Sequence, residues 1–462
     1  MSSHTDLRGI SGYRSLAYLL FDPLAATRWV AETHGNSVWM QRALFGGRRP
    51  PLIHLVGAGY AEEVFRNYEV FENGGIIIKG YRGSYHNHLR KGYFAANGDE
   101  YEHYVRLLGP FFRKKMVEAA HPLISRIVRE ELDSWPTGAT IDVIPRFNRL
   151  VKRLALQCLH KDTATGAGLH AADMVERHAR LSGPTLVNAV SAKLPLPLRL
   201  HREARATYDA IVDWGRTRAG RSPDADVWSA IVNAPTEKGC PASPERIAGY
   251  GWTMLGAAYD TSTSILSWLL VFLSSNPAVA RRLHEEVTNA GLEPETDLTA
   301  VMELPYLDAV IKEALRLIPP APIQRRKAAR DTELGGEAVP AGSQILVSAW
   351  MTNRDEALYP DSERFDPGRW EGLARSPYQW LTFSAGPRRC IGIWFALAFL
   401  KAIAASLMLR WRPEIPDGTA IDMKLAVTVR PLPAVPVVLH PADGNFRASR
   451  ITGSVHNYVR LN

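Results

Sequence analysis

The stretch Tyr250–Ser275, YGWTMLGAAYDTSTSILSWLLVFLSS, constrains the fold more than any other part of the chain. Asp260 is its one charged residue, and its length would cross a bilayer. In lipid that carboxylate would cost roughly 2.5–3.5 kcal/mol, and no basic flank sets an orientation. What remains is the centre of a protein, with other helices on every side. A chain built round this segment is expected to be mainly α.

The rest of the sequence supplies the covering. Hydrophobic residues make up 46% and charged residues 22% of 462, enough apolar material for one large core. Apolar residues recur at helical spacing over Tyr101–Ala119, Pro122–Ser134, Asn148–His160, Ala204–Arg218 and Glu245–Ser274, with Gly and Pro clusters between them. SVWMQRAL and PLIHLVG read as strands around FGGRRPP, and TELGGEAVPAGSQILVSAW reads as a second strand region. A last long helix is expected just after Gly392. HLVGAGYAE imitates a dinucleotide fingerprint, but Glu62 fills the third glycine position, leaving a plain strand-to-helix turn. No repeat or long linker divides the chain, so it reads as one large, mostly helical domain with a small sheet.

Three widely spaced cysteines, Cys158, Cys240 and Cys390, give neither a disulfide framework nor a paired zinc signature, and suggest a reducing compartment, the cytoplasm. The start, MSSHTDLRGI, lacks a signal peptide's basic and apolar regions, and Asp22-Pro23 interrupts SLAYLLFDPLAAT; neither export nor an anchor is expected. A formal net charge of +8 is compatible with nucleic acid, anionic lipid or an acidic protein partner. Without a Lys/Arg run or a zinc-finger spacing, nucleic acid is the weakest of these.

Cys390 lies in FSAGPRRCIG, between Gly386 and Gly392 and behind Arg388 and Arg389. Neighbouring guanidinium groups and the amides of a following helix favour a thiolate, which is either a nucleophile or a metal ligand. Taken alone, the residue reads equally well as a small apolar side chain packed under a loop.

The spacing Phe383, Gly386, Arg388, Cys390, Gly392 resembles the haem-binding loop of the cytochrome P-450 family, Phe-x-x-Gly-x-Arg-x-Cys-x-Gly. The resemblance implies that Cys390 is the proximal iron ligand of haem b (iron protoporphyrin IX), that Phe383 packs beside the sulfur, and that Arg388 binds a propionate. Further matches extend it along most of the chain. EALR supplies the family's Glu313 and Arg316, and ERFDPGRW supplies Phe365, Pro367 and Arg369, residues that hold the loop's architecture. AAYDTS is similar to the oxygen-activation segment, with Asp260 and Thr261 as its acid and alcohol and Ala258 in place of the usual glycine. Arg326, five residues before Asp331, is a second propionate ligand; strand alternation sends Arg325 to the other face. DEYEHYVRLLGPFF departs from the pattern. Val105 stands where a propionate-binding arginine is usual, Arg106 is about 100° round the helix, and Tyr101 is the candidate hydrogen-bond donor.

The implied fold is the cytochrome P-450 haem domain over residues 1–440, with 441–462 a tail of unassigned role. The implied activity is monooxygenation of a lipophilic small molecule, terpenoid, steroid or fatty-acid-like. Asp260 and Thr261 would be catalytic, and electrons would come from a ferredoxin or flavodoxin and its NAD(P)H-dependent reductase. Arg113, Lys114, Lys115, Arg389 and Lys401 would form the docking patch on the cysteine side. The pocket would draw on Phe71 to Phe94, including Tyr81, Tyr85 and His86, and on Met254, Ala257, Ala321 to Ile323, Thr428 and Val429. Competing readings are peroxide-driven, coupling or rearrangement chemistry, a haem sensor, and a haem-free helical binding protein.

Overall fold

Ser243 accepts the backbone N–H of Arg246 and Pro244 takes the first helical position, so the long apolar segment starts on a capped end. It then runs unbroken to Ser275, 32 residues and about 48 Å. The structure, a computed structural model, describes residues 5–6, 22–40, 50–74, 80–164, 166–182, 194, 198–292 and 298–461.

In chain order the helices are α1 (Pro23–His34), α2 (Ala58–Arg66), α3 (Tyr85–Leu89), α4 (Gly98–Leu108), α5 (Lys114–Asp133), α6 (Val143–His160), α7 (Ala167–Leu181) and α8 (Arg199–Arg216). They continue with α9 (Val227–Asn233), α10 (Pro244–Ser275), α11 (Pro277–Asn289), α12 (Leu298–Glu303), α13 (Pro305–Leu317), α14 (Ala349–Thr352) and α15 (Ile393–Arg410). Helices α3, α6, α7, α8, α13 and α15 all pack on α10. Between Ala248 and Ser275 only Gly256, Ala257, Ala258 and Thr261 escape burial. α15 is also long and apolar enough to cross a membrane, but two-thirds of it is buried, against α5, α11, α12 and α13.

The spacing placed a helix break before Pro122, and the structure moves it upstream. Gly109–Phe112 forms a 3-10 turn around Pro110, and Pro122 lies inside α5. The proline removes one hydrogen bond, and the buried face of Val117, His121, Ile124, Ile127 and Val128 holds the helix together around it.

Beside the helices lies a six-stranded sheet of β1 (Thr5–Asp6), β2 (Ser37–Met40), β3 (Leu52–Leu55), β9 (Gln344–Ser348), β6 (Ile323–Ala328) and β4 (Phe71–Asn73), in that order. β3 and β9 are parallel, with Ile53 opposite Ile345, and β6 is antiparallel to β9. The first strand region therefore forms β2 and β3 as expected, although residues 41–49 of SVWMQRAL and its turn lie outside the described residues. β7 (Thr332–Leu334) and β8 (Glu337–Val339) form a hairpin, β11 (Asp422–Leu425) and β12 (Val429–Leu432) another, and β5 (Thr140–Asp142) joins β10 (Trp411–Glu414) and β13 (Pro436–Pro441). Two apolar cores result, a large helical one and a smaller one under the sheet. The Cys390 loop spans their seam: Leu381 and Ala385 belong to the sheet core, Phe383 and Ile391 pack on the helical one.

That seam is fastened by Glu313 and Arg316, both fully buried. Arg316 donates to both oxygens of Glu313 at 2.8 Å and to the carbonyls of Asn353 and Ser362 at 2.9 and 2.7 Å. Glu313 also accepts from Arg369 Nε at 2.9 Å, Trp370 Nε1 at 2.9 Å and the Asp366 amide at 3.0 Å. Thr382 donates to the carbonyl of Leu315 at 2.8 Å, and Asn353 accepts the Leu381 amide at 2.9 Å, which carries the network into the loop.

Residues 441–461 run back over this region. The Ser449 amide donates to the carbonyl of Ser274, the Arg460 amide to that of Glu363, and Arg354 to that of Tyr458. Ile451, Val455, Tyr458 and Val459 are buried in the helical core.

Burial opposes the charged form of Glu313, but Arg316 and Arg369 outweigh it and hold the carboxyl below its ordinary value of 4.5. A depressed folded value adds stability above pH 4.5 that is lost as pH falls through the folded value. Glu313→Ala, which strands Arg316, should cost about 3–5 kcal/mol in urea unfolding. The gap between wild type and Glu313→Gln should shrink as the same measurement is moved below pH 4.5.

Candidate functional site

The Cys390 loop is shaped by two residues with positive φ, Ser384 at 59° and Gly386 at 67°. A Cβ on Gly386 would stand 2.4 Å from the carbonyl oxygen of Phe65, so only glycine fits. The Cys390 amide donates to the Phe383 carbonyl at 2.8 Å, closing the loop, and the Trp380 ring meets Phe383 edge-on at 5.7 Å. Gly392 caps α15 and donates its amide to the Cys390 sulfur.

Cys390 is exposed to a water-sized sphere, yet burial is the largest influence on its thiol. A group both accessible and surrounded lines an internal cleft. Burial raises the thiol above its ordinary value, and the Gly392 amide and Arg389 only partly oppose this. The expectation that the arginines favour a thiolate is thereby corrected: in this chain desolvation wins, and only a bound metal ion would reverse it. Arg388 in any case turns away from the sulfur. Its Nη2 donates to the Ala96 carbonyl at 2.8 Å and to Asn97 Oδ1 at 2.7 Å, and its guanidinium lies 3.6 Å from the Tyr101 ring centroid.

Arg326, on β6, is buried, while Arg325 points to the other face, as alternation requires. Arg326 donates to the Arg325 carbonyl at 2.9 Å and lies over the Phe65 ring. Burial first, then Arg388, pulls its guanidinium down to about 10. The Nε atoms of Arg326 and Arg388 are both buried without a partner. Among the described residues no carboxylate forms an ion pair with either. Two neighbouring cations so arranged leave a place for an anion.

Tyr101 is not free to serve that anion, because its hydroxyl donates to the Pro387 carbonyl at 2.9 Å and braces the loop. Arg106 is exposed and pairs with Glu102 at 3.6 Å. Lys401 departs from the expected docking patch: it is buried and donates to the Met302 carbonyl and Asp308 at 2.9 and 2.7 Å. Arg113, Lys114, Lys115 and Arg389 are exposed, and Trp394, unremarked in the sequence, stands exposed beside them on the first turn of α15.

Across the cleft stands the unburied stripe of α10. Thr261 donates to the carbonyl of Ala257 at 2.8 Å, one turn back, and presents its oxygen on the open side. Asp260 is buried on the next face, where Arg430 donates to Oδ1 and Thr428 to Oδ2 at 3.0 Å. Thr428 and Val429, expected in the pocket wall, instead support α10: Ser264 and Trp268 both donate to the Val429 carbonyl. Tyr85 is likewise on the surface, packed against Tyr208, while His86 is buried and bonded to His178. Arg430 was the partner that sequence reasoning missed. An isolated carboxylate on so apolar a helix called for a cation, but nothing local said which.

Comparison with known proteins places this arrangement. Residues 200–437 match the family described as Cytochrome P450. The chain is 30% identical over 373 residues to cyclooctat-9-en-7-ol 5-monooxygenase of Streptomyces melanosporofaciens, covering 78% of this chain and 79% of that one. It is 27% identical over 396 residues to pentalenene oxygenase of Streptomyces avermitilis, covering 80% and 83%. Among solved structures, retinoic acid bound cyanobacterial CYP120A1 superposes with a TM-score of 0.77 at 21% identity, covering 93% and 96%. The family match runs through α10, the Glu313–Arg316 pair and the thiol loop, and bacterial relatives share most of the length on either side; the chain belongs to the cytochrome P450 family and is a haem-dependent monooxygenase.

Proposed function

We propose that this monooxygenase inserts one oxygen atom from O2 into a terpenoid or similarly lipophilic substrate, with haem held by Cys390 and electrons delivered by a separate protein. The observation that carries the reading is the accessible yet surrounded Cys390 thiol, with the partnerless Arg326 and Arg388 Nε atoms in the same cleft. These residues fit a haem: a thiol for its iron and two cations for its propionates. The group in this reading is haem b, as the resemblance to the family implies; the sequence contains no Cys-x-x-Cys-His for c-type attachment. When bound, it supplies oxygen activation and transfer of an oxygen atom to carbon, with the thiolate's donation favouring O–O cleavage.

The chain's own residues then divide the work. Gly392 fixes the sulfur through its amide, and Phe383, held edge-on by Trp380, would pack beside it. Tyr101 holds the loop through Pro387 and faces Arg388, so the propionate cations are positioned before the cofactor arrives. Thr261 Oγ1 offers a hydrogen-bonding oxygen in the cleft, and Asp260 would carry protons to that side from the solvent that reaches its ion pair with Arg430, the guanidinium holding the carboxylate in place and keeping its own protons. Residues 1–440 form the haem domain, and 441–462 strap the Glu313–Arg316 region from outside.

Support for the substrate class comes from two relatives named for oxygenating cyclooctat-9-en-7-ol and pentalenene. The gap in the sheath of α10, lined by Gly256, Ala257 and Ala258, suits an apolar molecule. A ferredoxin or flavodoxin, with an NAD(P)H-dependent reductase, would dock on Arg113, Lys114, Lys115 and Arg389 with Trp394 among them, guided by opposite charge. Three free cysteines support a cytoplasmic setting.

Cys390→Ser tests the reading directly. The reduced variant should lose the thiolate-type Soret shift with carbon monoxide, and an unchanged spectrum would overturn the assignment. Thr261→Ala should raise the hydrogen peroxide released per NAD(P)H consumed in assays with surrogate redox proteins. Asp260→Asn should lower turnover about 10²-fold while leaving substrate affinity unchanged, separating proton delivery from binding.

A further inference from the structure

Arg90 is a third buried cation, and haem does not account for it. It follows α3 and lies with its guanidinium 4.5 Å from the ring centroid of Trp252, on α10. Only 6% of its surface is exposed. Nη2 donates to Ser182 Oγ at 2.6 Å and to the Ser182 carbonyl at 3.4 Å, while Nε is buried without a partner. Arg326 responds to Arg388 and Tyr101 and is remote from this group. Among the described residues no carboxylate pairs with Arg90. Of the stretches outside them, 75–79, 183–193 and 195–197, which adjoin the segments of Arg90 and Ser182, contain no Asp or Glu.

His178 beside it does not add to this charge. Trp252 Nε1, which can only donate, bonds His178 Nδ1 at 2.9 Å. His178 Nε2 therefore carries its proton and donates to His86 Nδ1, at 2.9 Å. Burial, then Arg90, holds His178 well below its ordinary value, so this ring is neutral. Burial pulls Arg90 down to about 9, still charged near neutrality. Its one charge is met by a hydroxyl, a carbonyl and an aromatic face. The contrast is Arg354, equally buried, which donates to three backbone carbonyls and feels Glu363 and Glu313.

The position is rigid, and the helix seam it lies on runs toward the unburied stripe of α10. A Cβ on Gly92 would stand 2.0 Å from the Gly249 carbonyl oxygen, so the segment carrying Arg90 rests backbone to backbone on α10. Along the seam of α7 and α10, His178 meets Trp252, and one turn later Val175 lies against Gly256, where the unburied stripe begins. From Trp252 to Ala258 is about 9 Å along the helix, and to Thr261 about 14 Å.

We propose that Arg90 is a specificity-determining residue that binds a carboxylate on the substrate, so that the preferred substrate is a lipophilic carboxylic acid oxidised far from its acid group. This deepens the monooxygenase reading above and rests on it. A single guanidinium with one hydroxyl suits a monoanion. The carboxylate completes the ion pair the fold leaves open, and its distance along α10 selects which carbons reach Thr261.

Calorimetric titration of the haem-loaded protein with farnesoic, octanoic, dodecanoic and hexadecanoic acids, each against its methyl ester, tests this without turnover. At least one acid should bind about 30-fold or more tightly than its ester. Arg90→Met should abolish that preference, and Arg90→Lys, which keeps the charge, should retain part of it. If no acid is preferred over its ester by the wild type, or if the preference persists in Arg90→Met, the proposal is overturned. The carbon monoxide spectrum of the same samples separates the two readings: a normal thiolate-type signature with no acid preference removes the role of Arg90 and leaves the haem assignment standing.

Discussion

Glu313 and Arg316 have been taken wholly out of water, and the placement of the thiol loop depends on their being satisfied there. Desolvating two charges costs several kcal/mol each, which mutual attraction offsets only when the remaining donors and acceptors are filled. They are filled here by Arg369, Trp370 and the Asp366 amide on one side and by the carbonyls of Asn353 and Ser362 on the other. Those partners come from two stretches of chain, around Asn353 and over 362–370, which the pair draws together. Asn353 and Thr382 then pass the constraint to Leu381, nine residues before Cys390. The pair thus sets geometry more than it adds stability, and a packed apolar replacement would lose the address while keeping the fold.

Where the chain does satisfy its charges it does so thoroughly, which gives weight to the places where it does not. Arg316 is buried and richly bonded, and Arg354, whose Nε is also without a partner, still gives its other nitrogens to three backbone carbonyls. Arg326, Arg388 and Arg90 are buried or half-buried, and each leaves a donor idle. Among the described residues none of the three has a carboxylate partner, which is what the proposed haem propionates and the proposed substrate carboxylate would supply.

The parts of the site legible in the sequence were those written locally. The Phe383–Gly392 spacing, the one-turn separation of Glu313 and Arg316 and the apolar run around Asp260 each lie in a single window. Strand alternation likewise sorted Arg325 from Arg326. Pairings across the chain were not legible. Arg430 lies 170 residues from Asp260, and Tyr101 286 residues from Pro387. Lys401 looked like surface because lysines usually are, and only the fold reveals that Asp308 and the Met302 carbonyl hold it inside. Arg388 and Arg389 were legible as neighbours of Cys390, but the strength of their effect was not, because burial, a property of the fold, outweighs them.

The working face of α10 is made by omission. Every other side of the helix between Ala248 and Ser275 is covered, and the uncovered positions carry no large side chain: Gly256, Ala257, Ala258 and Thr261. The Thr261 hydroxyl bonds the Ala257 carbonyl one turn back, a contact that loosens a helix slightly where it occurs. Packing on the remaining sides restrains that loosening, and Arg430 and Thr428 clamp Asp260 so that it cannot swing into the cleft unaided. The proposed oxygen chemistry would use an oxygen-bearing side chain in the open and a carboxylate close behind it, within reach of solvent. Adjacent residues on a helix, about 100° apart, provide both from a single turn, provided one face is left bare and the next is given a cation.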